Sequence, residues 1–355
     1  MFKFLKAMNF SSTLTNWYSI YKRELPWRNT KNPYHIWLSE IILQQTQIKQ
    51  GQPYYEAFIQ KYPTIFDLSK ADESEVLKLW QGLGYYSRAR NLHATAKAIV
   101  NEFNGEFPKS YNELIKLKGI GDYTASAIAS ICYDQPTAVV DGNVYRVLSR
   151  YFGIESPINS TNGIKAFKAL ATELIDKNNP GDYNQAIMEF GARQCKPKSP
   201  DCNICPLNSS CIALQNNLID ALPVKINKTK VSKKYFNFLV FISSDKKTIF
   251  NKRTGKGIWK NLYQFPLIET ESSLEIKDFK KHLKVKSFLN SSKFDFSLFN
   301  TNDIVHKLSH QHLYTKFWIV EVDKLPENGI LISDILKFPT PILISNFINE
   351  FGFPV

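Results

Sequence analysis

Cysteine is scarce in this chain: five residues in 355. That is too few, and too unevenly placed, for a disulfide-stapled scaffold. Long apolar runs are also lacking, and no stretch approaches the roughly 20 residues of a membrane-spanning helix. The N-terminal "MFKFLKAMNFSS" has no apolar core of the secretory kind. Internal repeats and low-complexity tracts are missing too. Acidic residues are outnumbered, 32 against 45 Lys plus Arg, for a net charge of +13. Such an excess points to a polyanionic partner, nucleic acid first and acidic membrane second. The expected setting is the reducing cytosol, with no membrane insertion.

What is present fits a folded protein: 43% hydrophobic and 14% aromatic residues, over a length sufficient for about two domains with real cores. Through about residue 222 the texture is helical. "ADESEVLKLW" and "SRARNLHATAKAIVNEF" carry apolar residues at three- and four-residue spacing. "GIKAFKALATELI" does the same, and "SYNELIKL" opens with Ser110 and Glu113 spaced as a capping box. Loops such as "GLG", "NGEFP" and "NNPGDY" separate the helices.

Residues 223–234 read as an exposed basic linker, and "PVKINKTKVSKKY" holds five lysines. Beyond it "FNFLVFIS", "KTIFNKR" and "FWIVEV" are strand-like, with a helix-like "EIKDFKKHLKV" between them. The expected organisation is an all-helical region over 1–222, the linker 223–234, and a smaller α+β domain over 235–355.

Four of the five cysteines fall in "CKPKSPDCNICPLNSSC", residues 195–211, with the spacing Cys195-x6-Cys202-x2-Cys205-x5-Cys211. Zinc sites more often pair two short knuckles across a longer gap. One knuckle flanked by single cysteines in a tight loop suits a [4Fe–4S] cubane, one thiolate per iron. On ligand count alone zinc stays open. Cys132, in "ASAIASIC", reads as a small core residue.

Two carboxylates attract chemistry. Asp141, in "TAVVDGNVYRVLSRYFG", is a good N-cap for the helix that follows, and it is also held rigidly at the edge of the core. Glu40, in "NPYHIWLSEIILQQTQIKQ", shares a helical face with Ile36, Trp37 and Leu43. Apolar surroundings there raise a carboxyl pKa, as a general acid near neutrality requires. "LIKLKGIGDYTASAIAS" (114–130) reads as helix, glycine turn, helix, in which Gly119 and Gly121 permit positive φ and a close backbone approach to phosphate.

Together these segments resemble the helix-hairpin-helix DNA glycosylase superfamily, and within it the adenine-specific glycosylases. The cysteine spacing matches their cluster loop, and "LSE-x-x-LQQTQ" resembles their catalytic signature. The resemblance implies a [4Fe–4S] cluster on Cys195, Cys202, Cys205 and Cys211, in a basic loop that contacts DNA, with Lys196 and Lys198 in that loop. It implies that Glu40 protonates the departing adenine and that Asp141 stabilises the resulting cation. The helix-hairpin-helix, about residues 110–132, departs in having Lys118 where proline is usual.

Strand-cleaving members carry a lysine where this chain has Tyr123, so the resemblance implies a monofunctional enzyme. Tyr123 is expected to hydrogen-bond Asp141 or Asn143. By the same resemblance Trp27 and Arg28, in "ELPWRNTKNPY", line the adenine side. Leu43 lies on that side too, Gln45 wedges into the gap left by the flipped base, and Tyr85 stacks at the lesion.

"NKRTGKGIWKNLYQFP" (251–266) resembles the opening of a Nudix domain, but "LIETESSLEIKDFKKHL" lacks the glutamate array that hydrolysis needs. In the resembling family this domain reads 8-oxoguanine through a Phe-Ser-His loop. Here Leu308 replaces the phenylalanine, while Ser309 and His310 match.

The expected fold is thus mainly α: a helical glycosylase region with the cluster loop, then a smaller α+β Nudix-like domain. The expected function is removal of adenine mispaired with 8-oxoguanine or guanine in duplex DNA, by a bacterial monomer held at the nucleoid through DNA. Two other readings stand beside it: an endonuclease III-like pyrimidine glycosylase and lyase, and a catalytically silent iron–sulfur DNA-binding protein. Tyr123 and the second domain oppose the first. Joint retention of Glu40 and Asp141 opposes the second.

Overall fold

Helix ends in this chain are written locally. In the computed structural model, which describes residues 2–226, 231–282, 294–325 and 328–353, Asn32 caps the helix Pro33–Leu43 by accepting from Tyr34 N at 2.9 Å, and Pro33 begins it. Ser160 caps Thr161–Leu174 through Gly163 N, and Asp141 caps Gly142–Phe152 through Asn143 N and Val144 N. Gly153, at φ 66, closes that last helix in the left-handed conformation. The expected helix over "SRARNLHATAKAIVNEF" forms as Ser87–Phe103.

The residues divide into two units, 1–70 with 91–227 and 71–90 with 228–355. In the first, a helical core gathers Trp37, Phe58, Ile128, Leu148, Phe167 and Phe190, each almost without solvent exposure. The helices Pro33–Leu43, Asp122–Tyr133, Gly142–Phe152 and Pro180–Arg193 pack together, and Gly181 makes one approach close. A Cβ there would fall 2.9 Å from both the Ile131 Cα and the Ser130 carbonyl oxygen. The hairpin consists of Tyr111–Leu114, a turn, and Asp122–Tyr133. Among the described residues no helix is long and apolar enough to cross a membrane.

Local details depart from expectation. Ser110 does cap Tyr111–Leu114 through Glu113 N, but the return contact runs from Ser110 Oγ to Glu113 Oε2 at 2.6 Å. Gly119 takes positive φ (79), with its missing Cβ 2.7 Å from Asn91 Cβ. Gly121 does not: its φ is −92, and open space surrounds it. Cys132 is half-buried rather than a fully enclosed core residue.

The second unit is built on a five-stranded mixed sheet. Its order is Leu267–Thr270, Ser232–Ser243, Gln311–Val322, Phe294–Leu298, with Ile304–Lys307 also paired to Gln311–Val322. The two long strands are parallel, Phe238 against Phe317 and Val240 against Ile319, and every other pairing is antiparallel. The first long strand begins at Ser232, so the last three residues expected as linker are strand. "KTIFNKR" splits into Lys247–Thr248 and Asn251–Lys252, each paired elsewhere. "EIKDFKKHLKV" is helical over Ile276–Phe279, and its residues from 283 lie outside the described set.

The early segment 71–90 belongs to this unit. Asn261 Nδ2 donates to Glu73 Oε1 at 2.5 Å, Tyr86 Oη to the Thr340 carbonyl at 3.0 Å, and Gln81 Nε2 to Ser345 Oγ at 3.1 Å. Periodicity gave no hint of this, because it reports only which face of a helix is apolar.

Candidate active site

Glu40 sits near the C-terminal end of its helix, on the wall of a cleft of about 560 Å³. Ile36 and Leu43 share that wall, whereas Trp37 is buried behind it, with its ring 5.5 Å from Phe107. Tyr123 Oη donates to Glu40 Oε2 at 2.6 Å and lies 3.3 Å from Met188 Sδ. This corrects the expectation that Tyr123 bonds Asp141 or Asn143. The helix Asp122–Tyr133 presents the phenol directly after the hairpin's turn, on the side facing Glu40. Burial pushes the Glu40 carboxyl up to about 7; Tyr123 pulls it down, Asp141 pushes it up, and Arg28 pulls it down. Burial, together with the two carboxylates, keeps the Tyr123 phenol well above its ordinary value, so it remains a neutral donor.

Asp141 lies in the same cleft. Its Oδ1 accepts from Asn143 N at 2.9 Å and Val144 N at 2.8 Å, and its Oδ2 accepts from Asn143 Nδ2 at 2.8 Å. Both oxygens are therefore engaged, one by the helix end and one by a side chain. Burial raises its pKa, against three N–H donors and the Arg146 guanidinium, which favour the anion. Capping and chemistry coincide at this residue because the helix terminus itself points into the cleft.

Trp27 and Arg28 line the same cleft. Trp27 is buried edge-on against Tyr55 at 5.1 Å. Arg28 is tied down, donating to the Arg23 carbonyl at 2.8 Å and to Glu189 Oε2 at 2.8 Å. Glu189 also receives Arg23 Nε and Nη2, each at 2.6 Å, and two cations hold its carboxyl at about 2 although burial alone would raise it. The sequence reading missed Glu189 and Arg23. They stand more than 160 positions apart, and no local pattern could have joined them.

Gln45 is exposed just past the Glu40 helix, with φ 56, unusual for a non-glycine residue. In the second unit Tyr85 is half exposed with φ 47. Leu308, Ser309 and His310 form the turn between Ile304–Lys307 and Gln311–Val322; Leu308 N donates to the Gln311 carbonyl, and Ser309 and His310 are exposed. The imidazole does not pack on the sheet, and its Nδ1 lies 3.4 Å from Ser309 Oγ.

The four thiols of 195–211 are half-buried and unbridged. Burial raises Cys202, Cys205 and Cys211, with Cys205 reaching about 12, and the neighbouring thiols add to each shift. Backbone N–H groups oppose two of those shifts by bonding to sulfur, Leu207 at Cys205 and Ala213 with Leu214 at Cys211. Among the described residues no three Cys, His, Asp or Glu side chains converge on a point that would hold a single ion.

Two arginines, also missed, clamp this loop from the helix Gly142–Phe152. Arg150 donates to the Lys196 and Pro197 carbonyls and approaches Cys195 Sγ at 3.5 Å. Arg146 donates to the Cys195 carbonyl at 2.7 Å and, by its other end, to Asn143 Oδ1 at 2.8 Å. The signal available was their i, i+4 spacing on the helix that starts at Asp141.

Two carboxyl groups, Glu40 and Asp141, thus line one cleft together with Tyr123, an arrangement suited to acid-assisted cleavage of a glycosidic bond. Residues 38–171 match the model of the HhH-GPD superfamily of base excision DNA repair proteins, and 237–350 match a NUDIX domain. A solved thermostable thymine-DNA glycosylase superposes on 60% of this chain and 99% of its own at TM-score 0.56, with 31% identity. An endonuclease III from a DNA complex shares the fold at TM-score 0.51 and 23% identity, over 60% of this chain and 98% of that one.

The adenine DNA glycosylase of Buchnera aphidicola subsp. Baizongia pistaciae is 39% identical over 322 residues, 89% of this chain and 87% of that protein. That of Mus musculus is 45% identical over 226 residues, 60% of this chain and 44% of that one. The chain belongs to the adenine DNA glycosylase family.

Proposed function

We propose that this protein hydrolyses the N-glycosidic bond of adenine paired with 8-oxoguanine, and also with guanine, in duplex DNA, leaving the strand intact. The observation that carries this reading is the placement of Glu40, poised near 7, and Asp141, whose oxygens accept three N–H bonds, in one cleft. Adenine leaves poorly as an anion. Protonation of a ring nitrogen, N7, turns it into a neutral leaving group, and an acid near 7 is matched to that transfer. Tyr123 donates to Oε2, which leaves Oε1 to carry the transferable proton.

As the bond to C1′ lengthens, positive charge grows on the sugar, and the Asp141 carboxylate stabilises it. Water then completes the hydrolysis, with the ionised Glu40 available as its base. A phenol at 123 cannot form an imine, so no Schiff base leads to strand scission.

Gln45 is assigned to the gap left by the extruded nucleotide, and Trp27, Arg28 and Leu43 to the adenine pocket. Gly119 and Gly121 are assigned to phosphate contact, with Tyr85 beside the lesion. Leu308, Ser309 and His310 are assigned to 8-oxoguanine. Their exposed turn leaves a hydroxyl and an imidazole free to meet a modified base.

Cys195, Cys202, Cys205 and Cys211 supply the four unbridged thiols that a [4Fe–4S] cluster requires, all half-buried in one short loop. Bound there, the cluster would supply a rigid cross-link for a loop with little apolar core. Arg146 and Arg150 hold that loop from the Asp141 helix. Purified under anaerobic conditions, the protein should be brown and carry about four irons per chain; a colourless protein with stoichiometric zinc would refute the cluster.

The deciding experiment incubates the protein with an A:8-oxoguanine duplex, with and without alkali, and with borohydride. Strand breaks only after alkali, with little trapped complex, support the reading. Efficient trapping would replace it with a lyase.

A further inference from the structure

A second cleft, of about 280 Å³, abuts the catalytic one. The two share Arg28, Ile131 and Gln185 in their linings, so those three side chains form a common partition. On the far side the lining is polar and mixed in charge, including Asn29, Lys31, Asp134, Asn179 and Asp182. Its size falls just below the range of drug-sized ligand sites, which suits one small planar heterocycle with waters.

The partition is uneven in stiffness. Arg28 is fixed by Glu189 and the Arg23 carbonyl, with its guanidinium 5.4 Å from the centre of the Tyr18 ring. Ile131 is buried against the close approach of Gly181. Gln185 is only half-buried, and its Oε1 is held by a single long bond, 3.3 Å, from Tyr18 Oη. Gln185 is thus the one side chain of the three free to swing.

The geometry points to a transit site for the released purine: free adenine crosses from the catalytic cleft past Gln185 into the second cleft and leaves there. This rests on the glycosylase reading above. A flipped nucleotide enters the catalytic cleft with its own backbone following it, so after hydrolysis the abasic strand still fills the entrance. The free base then needs either dissociation of the DNA or another way out. The second cleft offers donors and acceptors for the exocyclic amine and ring nitrogens. The Asp182 carboxylate suits an amine donor, whereas both Asp134 oxygens already accept from Lys31 Nζ at 2.9 Å.

The test separates bond cleavage from base release. Enzyme in excess is mixed with an A:8-oxoguanine duplex carrying tritiated adenine. Rapid quench reports cleavage, and nitrocellulose filtration reports adenine still held with the retained enzyme–DNA complex. Adenine from the wild-type protein should pass the filter as fast as it is cut, while product DNA stays bound. Asn179→Trp and Asn29→Trp fill the second cleft from exposed positions, and the Asn179 side chain makes no capping bond. Each should leave the cleavage rate unchanged and slow adenine release by on the order of tenfold or more, toward the rate of DNA dissociation.

Two variants guard against one failing to fold, which a melting curve would reveal. Release at the wild-type rate from both folded variants overturns the proposal. So does wild-type adenine that leaves only together with the DNA, or cleavage and release that fall in step. Absence of any cleavage by the wild-type protein would instead overturn the glycosylase reading itself.

Discussion

Tyr123 and Glu40 are joined by a 2.6 Å hydrogen bond in which the phenol donates to the carboxylate. The bond favours the ionised acid and so opposes the burial that raises its pKa. Tyr123 therefore tempers the acid.

Tyr123→Phe should accordingly move Glu40 upward from about 7, since the one contribution removed is a lowering one. The alkaline limb of the single-turnover rate profile should shift to higher pH. A limb that stays in place, or moves to lower pH, would show that the bond does not set the acidity.

Glu40→Gln keeps the shape and removes the proton. Excision should fall by about 100-fold or more, with duplex binding retained in a gel-shift assay. Stability should change in the opposite sense. The folded-state pKa, about 7, lies above the ordinary 4.5, so wild-type stability is lost as pH rises through that window. The melting temperature of the variant should therefore gain on wild type between roughly pH 4.5 and 7 and then hold its lead, as differential scanning fluorimetry would read.

Gly119 and Gly121 should respond differently to alanine. At Gly119 positive φ and the Asn91 contact both penalise a Cβ, so Gly119→Ala should cost about 1–3 kcal/mol by denaturant titration. Gly121→Ala meets open space at ordinary φ and should melt normally. If the turn lies against phosphate, Gly121→Ala should still weaken duplex binding.

Changing Ser309 and His310 together to Ala should erode the preference for A:8-oxoguanine over A:G, at about 1–3 kcal/mol per polar partner lost. Measured by single-turnover excision, equal losses on both substrates would assign the turn to general binding. The substitution is preferable to deleting 224–355, which would also strip residues 71–90 of their partners.

Local code in this chain was readable. Ser110, Asp141 and Ser160 cap helices through short-range bonds that a few letters specify, and Asp141 could be seen as both cap and carboxylate. The Glu40 environment was half readable: spacing put Ile36 and Leu43 beside it, but its phenolic partner lies 83 positions away. Nothing in the spacing joined Arg23 and Arg28 to Glu189, a contact that only tertiary folding brings about. Of the two glycines that permit positive φ, only Gly119 uses it, and no local pattern distinguishes them.

The membership of 71–90 in the later unit bears on how the chain is made. Lys78, Gln81 and Tyr86 bond to Phe338, Ser345 and Thr340, residues translated some 254 to 264 positions afterwards. At about 5–20 residues per second that is a wait of roughly 13–50 s on the ribosome. Throughout it Val76, Leu77 and Trp80, wholly enclosed in the finished protein, wait for the rest of their unit to be made. The segment can be completed only when residues 338–345, which follow the last strand, have been made. The unit is therefore closed by contacts between the first quarter of the chain and its last twentieth.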